Sequence, residues 1–597
     1  MIWGTQTRNV VLIDSLSNSG FMDHDSVSLL FTSPAMRIDN VDALRSSLTL
    51  STDCDVATLL KAAWREWGTE MAMHLKGAFS FLICDTASQT YYAARDIFGL
   101  CPFYYALHSD SLIVAESSRL VRALIPDPLP PDQLMLADFV AGTVIETEHT
   151  FFTGISRLPP AHWMSISAKG QAIQRYWSIS DLPRDVEAAD LGEQFRDRFD
   201  AALSKVFVSN QTALTLSGGL DSSAIAVSLH AQGISGQDVP TLSMTYPETQ
   251  GWNDGPHLTS IAQHCGLDIT EMPSDSHDPL ANMEHWLRVM DGPFVARGHS
   301  VSFELMSKAR GMGATHILSG HGGDEIVSLG VGRLNELARN GRWVTLWREL
   351  AGAQKIYGGS RLRLFRNYLS HIPWIRKIER RLARRKQVDR NQVVGRHNLS
   401  EALTKEIDPG RYTSPTPKSR PDHDERMLYE AAVTHPIQAL SLEVFDLCTR
   451  DLGLQICLPF YDQDMMELSA SAPSHWKLRK GLTRYLLREA MKKRMPDRVR
   501  LRQDKFDFSD NFRRGLLKTP ERLLELTDPE TSDITNYVNL ERVQAIRAKV
   551  LAGEKNIANV DAFFLWRVAI LGLWLAICND KPEKPDLIPI GDTRLRS

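Results

Sequence analysis

Up to about Ser178 the chain switches between apolar and polar positions in short runs, among them Ala78 to Cys84, Tyr91 to Ala94 and Ser111 to Ala115, and Gly, Pro and Asp separate the runs. Runs bounded by turn residues predict strands, so this part reads as β-rich. From Ser178 to Asp190 the sequence turns polar and includes Pro183, which places a boundary between a first domain at 1–180 and a second at 190–597. Beyond it, strand candidates at Thr212 to Leu216, Thr241 to Tyr246 and His316 to Leu318 alternate with helical periods, the pattern of an α/β domain with a parallel sheet. Two of these strands run into glycine-rich loops, Ser217 to Ser223 and Ser319 to Glu325. In a doubly wound sheet such loops meet at the carboxyl ends of the strands, so the two are expected to share one crevice. The apolar run Phe563 to Cys578 contains Arg567 and, at about 16 residues, falls short of a bilayer of roughly 30 Å; it predicts a buried core helix.

Length and composition narrow the class. A chain of 597 residues predicts two or three domains, and 43% hydrophobic with 23% charged residues is an ordinary globular mixture. Lys and Arg total 68 against 72 Asp and Glu, and a net charge of -4 gives no whole-molecule attraction to nucleic acid or to an anionic membrane. The seven cysteines are widely spaced and form no Cys-x-x-Cys pair, which argues against a disulfide framework and a zinc site. Met1 to Gly20 lacks the basic start, apolar stretch and cleavage site of a secretory signal. A cytoplasmic setting is therefore expected, without a nucleic-acid partner or a membrane span. Between Arg361 and Arg390 eleven Lys or Arg residues face only two acids, inside an insertion at about 333–422. That stretch reads either as a solvated helix over the core or as a dock for an acidic or phosphate-bearing partner.

The loops carry the chemistry. Successive backbone N–H groups in a glycine loop, followed by a helix amino terminus, make a concave anion site that small residues let phosphate oxygens approach. Ser217-Gly218-Gly219-Leu220-Asp221-Ser222-Ser223 has those parts but lacks the lysine of a Walker A loop and carries Asp221 instead. An acid beside a phosphate cradle makes physical sense with a divalent cation between them, so Asp221 reads as a Mg²⁺ ligand.

This segment resembles the pyrophosphate loop of the asparagine synthetase superfamily. Leu318-Ser319-Gly320-His321-Gly322-Gly323-Asp324-Glu325 is similar to that superfamily's second loop, Leu458-Pro459-Phe460-Tyr461-Asp462 to its Pro-Phe-Leu-Asp segment, and Met495-Pro496 through Arg502-Gln503-Asp504-Lys505 to its Leu-Pro, Arg and Lys run. The resemblance implies an adenine nucleotide alpha hydrolase-like (PP-loop) synthetase domain. ATP is cleaved between its α and β phosphates, a carboxylate becomes an acyl-adenylate, and an amine displaces AMP. It further implies that Ser217, Gly218, Gly219 and Ser222 hold pyrophosphate, that Asp221 and Asp324 chelate Mg²⁺, and that Met244, Ser319 and Gly320 line the adenosine pocket. Lys505 matches the lysine at the α-phosphate and the developing oxyanion, where a fixed positive charge is most effective.

Leu75 to Phe81, Ala94-Arg95-Asp96-Ile97-Phe98-Gly99 and Ala115-Glu116-Ser117 resemble the superfamily's glutamine amidotransferase domain, which implies an amino-terminal Ntn-type, glutaminase-like αββα fold. That family uses an amino-terminal Cys, whereas this chain begins Met1-Ile2-Trp3 and also lacks the Asn-Gly-Glu loop before Asp55. Asp96 and Gly99 are then expected only to maintain a turn, and the attacking amine to belong to the substrate itself. Two branches have such a disabled first domain: β-lactam synthetases, and the cyclases of lasso peptides, which join a peptide's α-amine to an Asp or Glu side chain. His321 stands where asparagine synthetases carry Glu and β-lactam synthetases Tyr, and Glu443 occupies the slot of a second acid. A peptide α-amine, with a pKa of about 7.7–8.0, must lose a proton before attack, so a His321/Glu443 general-base pair is expected. The reading is an ATP- and Mg²⁺-dependent lasso peptide cyclase acting on a linear core or precursor peptide, served by a leader peptidase and a leader-binding protein. Its rivals are a β-lactam synthetase or ammonia-dependent asparagine synthetase, and an inactive precursor-binding scaffold.

Overall fold

A computed structural model describes residues 2–4, 10–13, 26–249, 251–252, 254–357, 360–369, 396–407, 411–412, 423–503, 507–554 and 557–589. Two antiparallel sheets stack in the first half of the chain. One runs in the order Ser156–Arg157, Tyr104–His108, Ser111–Ala115, Val10–Ile13, Ile2–Gly4 and Ile588–Pro589; the other in the order Gly170–Arg175, His162–Ser167, Thr90–Arg95, Ser80–Asp85 and Val27–Thr32. Side chains alternate across a strand, and that alternation builds the layers. Leu82, Cys84, Tyr91 and Ala93 fill the space between the sheets with Val11, Tyr105 and Val114. Their chain neighbours Phe81, Ile83, Tyr92 and Ala94 face Leu59, Leu60 and Ala63 of the helix Val56–Trp67. On the far side Tyr104, Ala106, Ile113 and Ala115 meet the helices Ser118–Leu124 and Gln133–Ala141. The layers are αββα, as expected. Ile588–Pro589 pairs with Ile2–Gly4, so the end of the span assigned to the second domain belongs instead to the first domain's sheet.

The second half is built on a parallel sheet in the order Ile269–Pro273, Thr241–Thr245, Thr212–Thr215, His316–Leu318 and Gln455–Cys457. Both faces are covered: Ala213, Leu242 and Ile317 lie in one core with the helices His299–Gly311 and Pro436–Asp451, and Leu214 and Leu318 in another with Leu191–Val206 and Leu220–Ala231. The chain winds outward in one direction from Thr212–Thr215 and then in the other from His316–Leu318. The glycine loops therefore leave the two strands that flank the topological switch point.

Asn559–Ile577 is, among the described residues, the one helix long and apolar enough to cross a bilayer. Its Phe564, Trp566, Ile570 and Trp574 are buried, and Trp574 packs on Phe151 and Phe152 of the first domain. The insertion begins with the helices Gly332–Arg339, Trp343–Tyr357 and Arg361–Leu369, which gather Leu334, Leu337, Leu346 and Leu350 into a satellite core against Leu478. Most of the basic stretch read either as a solvated helix or as a dock for a partner, 370–390, lies outside the described residues.

A buried ion cluster joins the domains. Glu443, on the helix Pro436–Asp451, is 0% exposed; the Tyr104 hydroxyl donates to its Oε2 at 2.7 Å and Arg157 Nη1 lies 3.3 Å from the same oxygen. Arg95 Nη1 is 2.9 Å from Oε1, an ion-pair contact without a well-aligned hydrogen bond, because the Arg95 N–H groups donate to the carbonyls of Cys101, Leu158 and Gly99. Burial opposes the Glu443 charge, but Arg157 and Arg95 outweigh it and hold its pKa below the usual glutamate value. Glu443→Ala would leave two desolvated guanidiniums without their carboxylate. It is expected to destabilise the chain by about 3–5 kcal/mol, read as a lowered urea midpoint, whereas a surface control such as Glu401→Ala should change little.

Candidate active site

The first loop leaves its strand at Leu216 and closes on itself through serines. Ser217 N donates to Ser222 Oγ at 3.1 Å, the two hydroxyls lie 3.1 Å apart, and Gly219 N donates to Ser217 Oγ at 3.3 Å. The helix Leu220–Ala231 starts here with Gly219 as its cap. The second loop packs against the first main chain to main chain. A Cβ at Gly320 would stand 2.7 Å from Ser222 N, and one at Gly323 only 2.4 Å from Asp221 Cγ, so any side chain at either position would force the loops apart.

That approach brings the acids together. Arg484 Nη1 lies 2.7 Å from Asp221 Oδ1, 2.5 Å from Asp221 Oδ2 and 2.8 Å from Asp324 Oδ1. Burial opposes the Arg484 charge, but Asp221 and Asp324 outweigh it and raise its pKa above the ordinary arginine value. Arg488, four residues on, is pushed down to about 10 by burial and then by Arg484. Arg502 donates to Gly218 O at 3.3 Å and pairs with Asp254 at 2.6 Å. The three arginines, both loops, Met244, Tyr246, Asp254, Ser302 and Phe508 surround a cavity of about 360 Å³.

This donor set fits Mg²⁺. Two carboxylates from separate loops converge on one positively charged atom, and Mg²⁺ is commonly held by one or two carboxylates with phosphate oxygens and water supplying the rest. The cationic position is taken by Arg484.

Of the expected site residues, Ser217, Gly219, Asp221, Ser222, Met244, Ser319, Gly320 and His321 line the cavity. Gly218 and Asp324 do not line it themselves but are held by residues that do, Gly218 O by Arg502 and Asp324 by Arg484. Lys505 lies outside the described residues. The expected His321/Glu443 pair is not formed: Glu443 lines a separate cavity of about 20 Å³ with Tyr104 and Arg157, its carboxylate committed to the other domain. His321 packs beside Phe445 and Tyr461, and its Nε2 is buried without a hydrogen bond. Burial pushes its pKa down to about 4, against the weaker pull of Asp324. His321 is thus less basic than a free histidine, contrary to what the expected general-base pair requires.

Arg484, Arg488 and Tyr246 were not foreseen. Arg484 caps the helix Tyr485–Ala490 in the left-handed conformation and Arg488 lies within it, and no local pattern sets either apart from other arginines of the chain. In the first domain Asp96 accepts backbone N–H groups from Phe98, Gly99 and Leu100 at Oδ1 and from Phe79 and Cys101 at Oδ2. It organises a turn.

The fold and the loops agree with the comparisons. A model of the asparagine synthase family matches residues 194–576, and one of the glutamine amidotransferase domain matches residues 36–177. The chain belongs to the asparagine synthase family, whose class of activity is ATP-dependent amide bond formation. It is 23% identical over 462 residues to the glutamine-hydrolyzing asparagine synthetase 3 of Bacillus subtilis, covering 74% of this chain and 69% of the relative. It is also 23% identical over 557 residues to asparagine synthetase 1 of the same organism, covering 90% and 83%. A third relative, amidase chry2 of Gibberella zeae, is 24% identical over 292 residues, 46% of this chain and 42% of that protein.

Two outcomes follow from the charges. Arg484→Gln removes the cation that competes for Asp221 and Asp324, so Mn²⁺ affinity of the nucleotide-free protein, followed by electron paramagnetic resonance, should rise roughly tenfold or more. A histidine whose folded pKa lies below its unfolded value binds its proton less readily when folded, so His321 makes stability fall as pH drops from about 6.5 towards about 4. His321→Gln should flatten the urea midpoint against pH in that window, by up to about 1.4 kcal/mol per pH unit.

Proposed function

We propose that this family member closes an amide ring in a ribosomally made peptide: it adenylates an Asp or Glu side-chain carboxylate, and the peptide's own amino terminus then displaces AMP, as in lasso peptide cyclases. The observation that carries the finer reading is a second cavity of about 660 Å³, which shares Met244, Tyr246, Ser302 and Phe508 with the first. That volume falls within the roughly 300–1,000 Å³ of sites that enclose drug-sized ligands, more than a single amino acid needs.

In this reading the N–H groups and hydroxyls of Ser217, Gly219 and Ser222 grip the departing pyrophosphate, and Arg484, Arg488 and Arg502 offset its charge. Asp221 and Asp324 hold Mg²⁺, which when bound neutralises phosphate charge. Lys505 serves at the α-phosphate and the oxyanion. Proton transfer from an amine of pKa near 8 to an imidazole near 4 is roughly 5 kcal/mol uphill, so His321 Nε2 aligns the incoming amine as a neutral acceptor and does not store its proton. The setting proposed is the cytoplasm, with a leader peptidase and a leader-binding protein delivering the peptide. A small-molecule reading, aspartate with ammonia, is favoured by the names of two relatives.

Asp221→Asn and Asp324→Asn should each abolish peptide-dependent ATP–pyrophosphate exchange. His321→Ala should keep exchange within about threefold while slowing ring closure, seen by mass spectrometry as loss of one water, at least 100-fold. Full-rate ring closure by His321→Ala would remove its proposed role, and AMP release driven by aspartate and ammonia alone would favour the small-molecule reading.

A further inference from the structure

The second cavity has apolar walls, with Val295, Ala296, Val301, Ile437 and Phe512 among them, and two arginines that the nucleotide-sized cavity lacks. Arg567 projects from the helix Asn559–Ile577 against the carboxyl end of Gln133–Ala141, where its Nε donates to Val140 O at 3.3 Å. Its two Nη groups make no hydrogen bond to a described residue, and no described carboxylate lies within ion-pair distance. The nearby Arg542 does not share this condition, since it pairs with Asp561 at 2.8 Å. Burial first, then Arg297 and Arg542, together push the Arg567 pKa down to about 10. An unpaired, partly desolvated guanidinium facing a cavity is costly unless an anion joins it.

Arg297 lies over the Phe563 ring at 3.5 Å from its centroid and is the more exposed of the two. The other charges among the described residues of the wall are accounted for. Asp507 accepts from Ser509 N at 2.9 Å and its pKa is held down first by Ser509, with Arg297 adding to the effect. His277 is bonded to Glu304 and Ser300. Two arginines against one ionised aspartate leave a charge of about one, which matches one carboxylate. The carboxylate to be adenylated must reach the phosphates in the first cavity, so it is not the group on Arg567.

We propose that the second cavity binds a further carboxylate of the acyl substrate, one that is never activated, on Arg567 and Arg297, with the apolar part of the substrate passing between Met244 and Phe508. The ligand class is an amphipathic acid bearing two carboxylates, within a peptide or free. This rests on the first cavity being the nucleotide and activation site.

Calorimetric titration of the full chain with suberate and with octanoate, equal in carbon number, tests it. Suberate should bind at least tenfold more tightly than octanoate, and Arg567→Gln should reduce that preference to threefold or less. Arg297→Gln, at the more exposed side chain, should reduce it as well and serves if the first variant does not fold. Equal binding of the two acids, or a preference that survives both substitutions, overturns the proposal. ATP–pyrophosphate exchange on the same samples separates the two levels: intact suberate preference with no exchange for any carboxylate peptide supports the carboxylate site and contradicts the amide-forming reading.

Discussion

One guanidinium holds the site together. Asp221 and Asp324 sit on loops that leave neighbouring strands, and like charges so close repel unless a cation lies between them. Arg484 is that cation, within 2.8 Å of both acids. The glycines at 320 and 323 are the steric condition for this arrangement, since any side chain there would push the loops apart. The sheet supplies the rest by putting the two loops at the point where its strand order reverses.

In the first domain, buried polar side chains hold the backbone and the domain interface together. Asp96 gathers five backbone N–H groups, Arg95 gathers three carbonyls, and Glu443 from the other domain sits between Arg95, Arg157 and Tyr104. A buried ionic cluster of this kind adds little net stability compared with an apolar one but is expensive to break, so it fixes how the domains dock. The helix Asn559–Ile577 reinforces the docking with Trp574, and the closing strand Ile588–Pro589 pairs with the first domain's sheet. Arg567 projects from that same helix, which ties the wall of the second cavity to the domain interface.

Much of this was legible in the residues, for identifiable reasons. The split of Leu82 and Ala93 from Phe81 and Ala94 into different layers follows from a two-residue period, and the two glycine loops announced both the crevice and its acids. Arg484 was not legible because it pairs with Asp221 across 263 positions, and nothing local to either residue records the other. Glu443 was misread for a related reason: its spacing suited an acid beside His321, but burial against arginines from the other domain is a property of tertiary packing alone. The direction of the His321 pKa follows the same logic, since its enclosure by Phe445 and Tyr461 arises only in the fold. The pairing of Ile588–Pro589 with Ile2–Gly4 joins opposite ends of the chain and has no local signature.

The central claim is that the acid–arginine–acid contact serves a nucleotide split between its α and β phosphates. ³¹P nuclear magnetic resonance of the chain with ATP, Mg²⁺ and a linear peptide carrying one Asp or Glu tests this most directly. The account predicts AMP and pyrophosphate in equal amounts as the peptide is consumed. ADP and inorganic phosphate formed in step with product would contradict it.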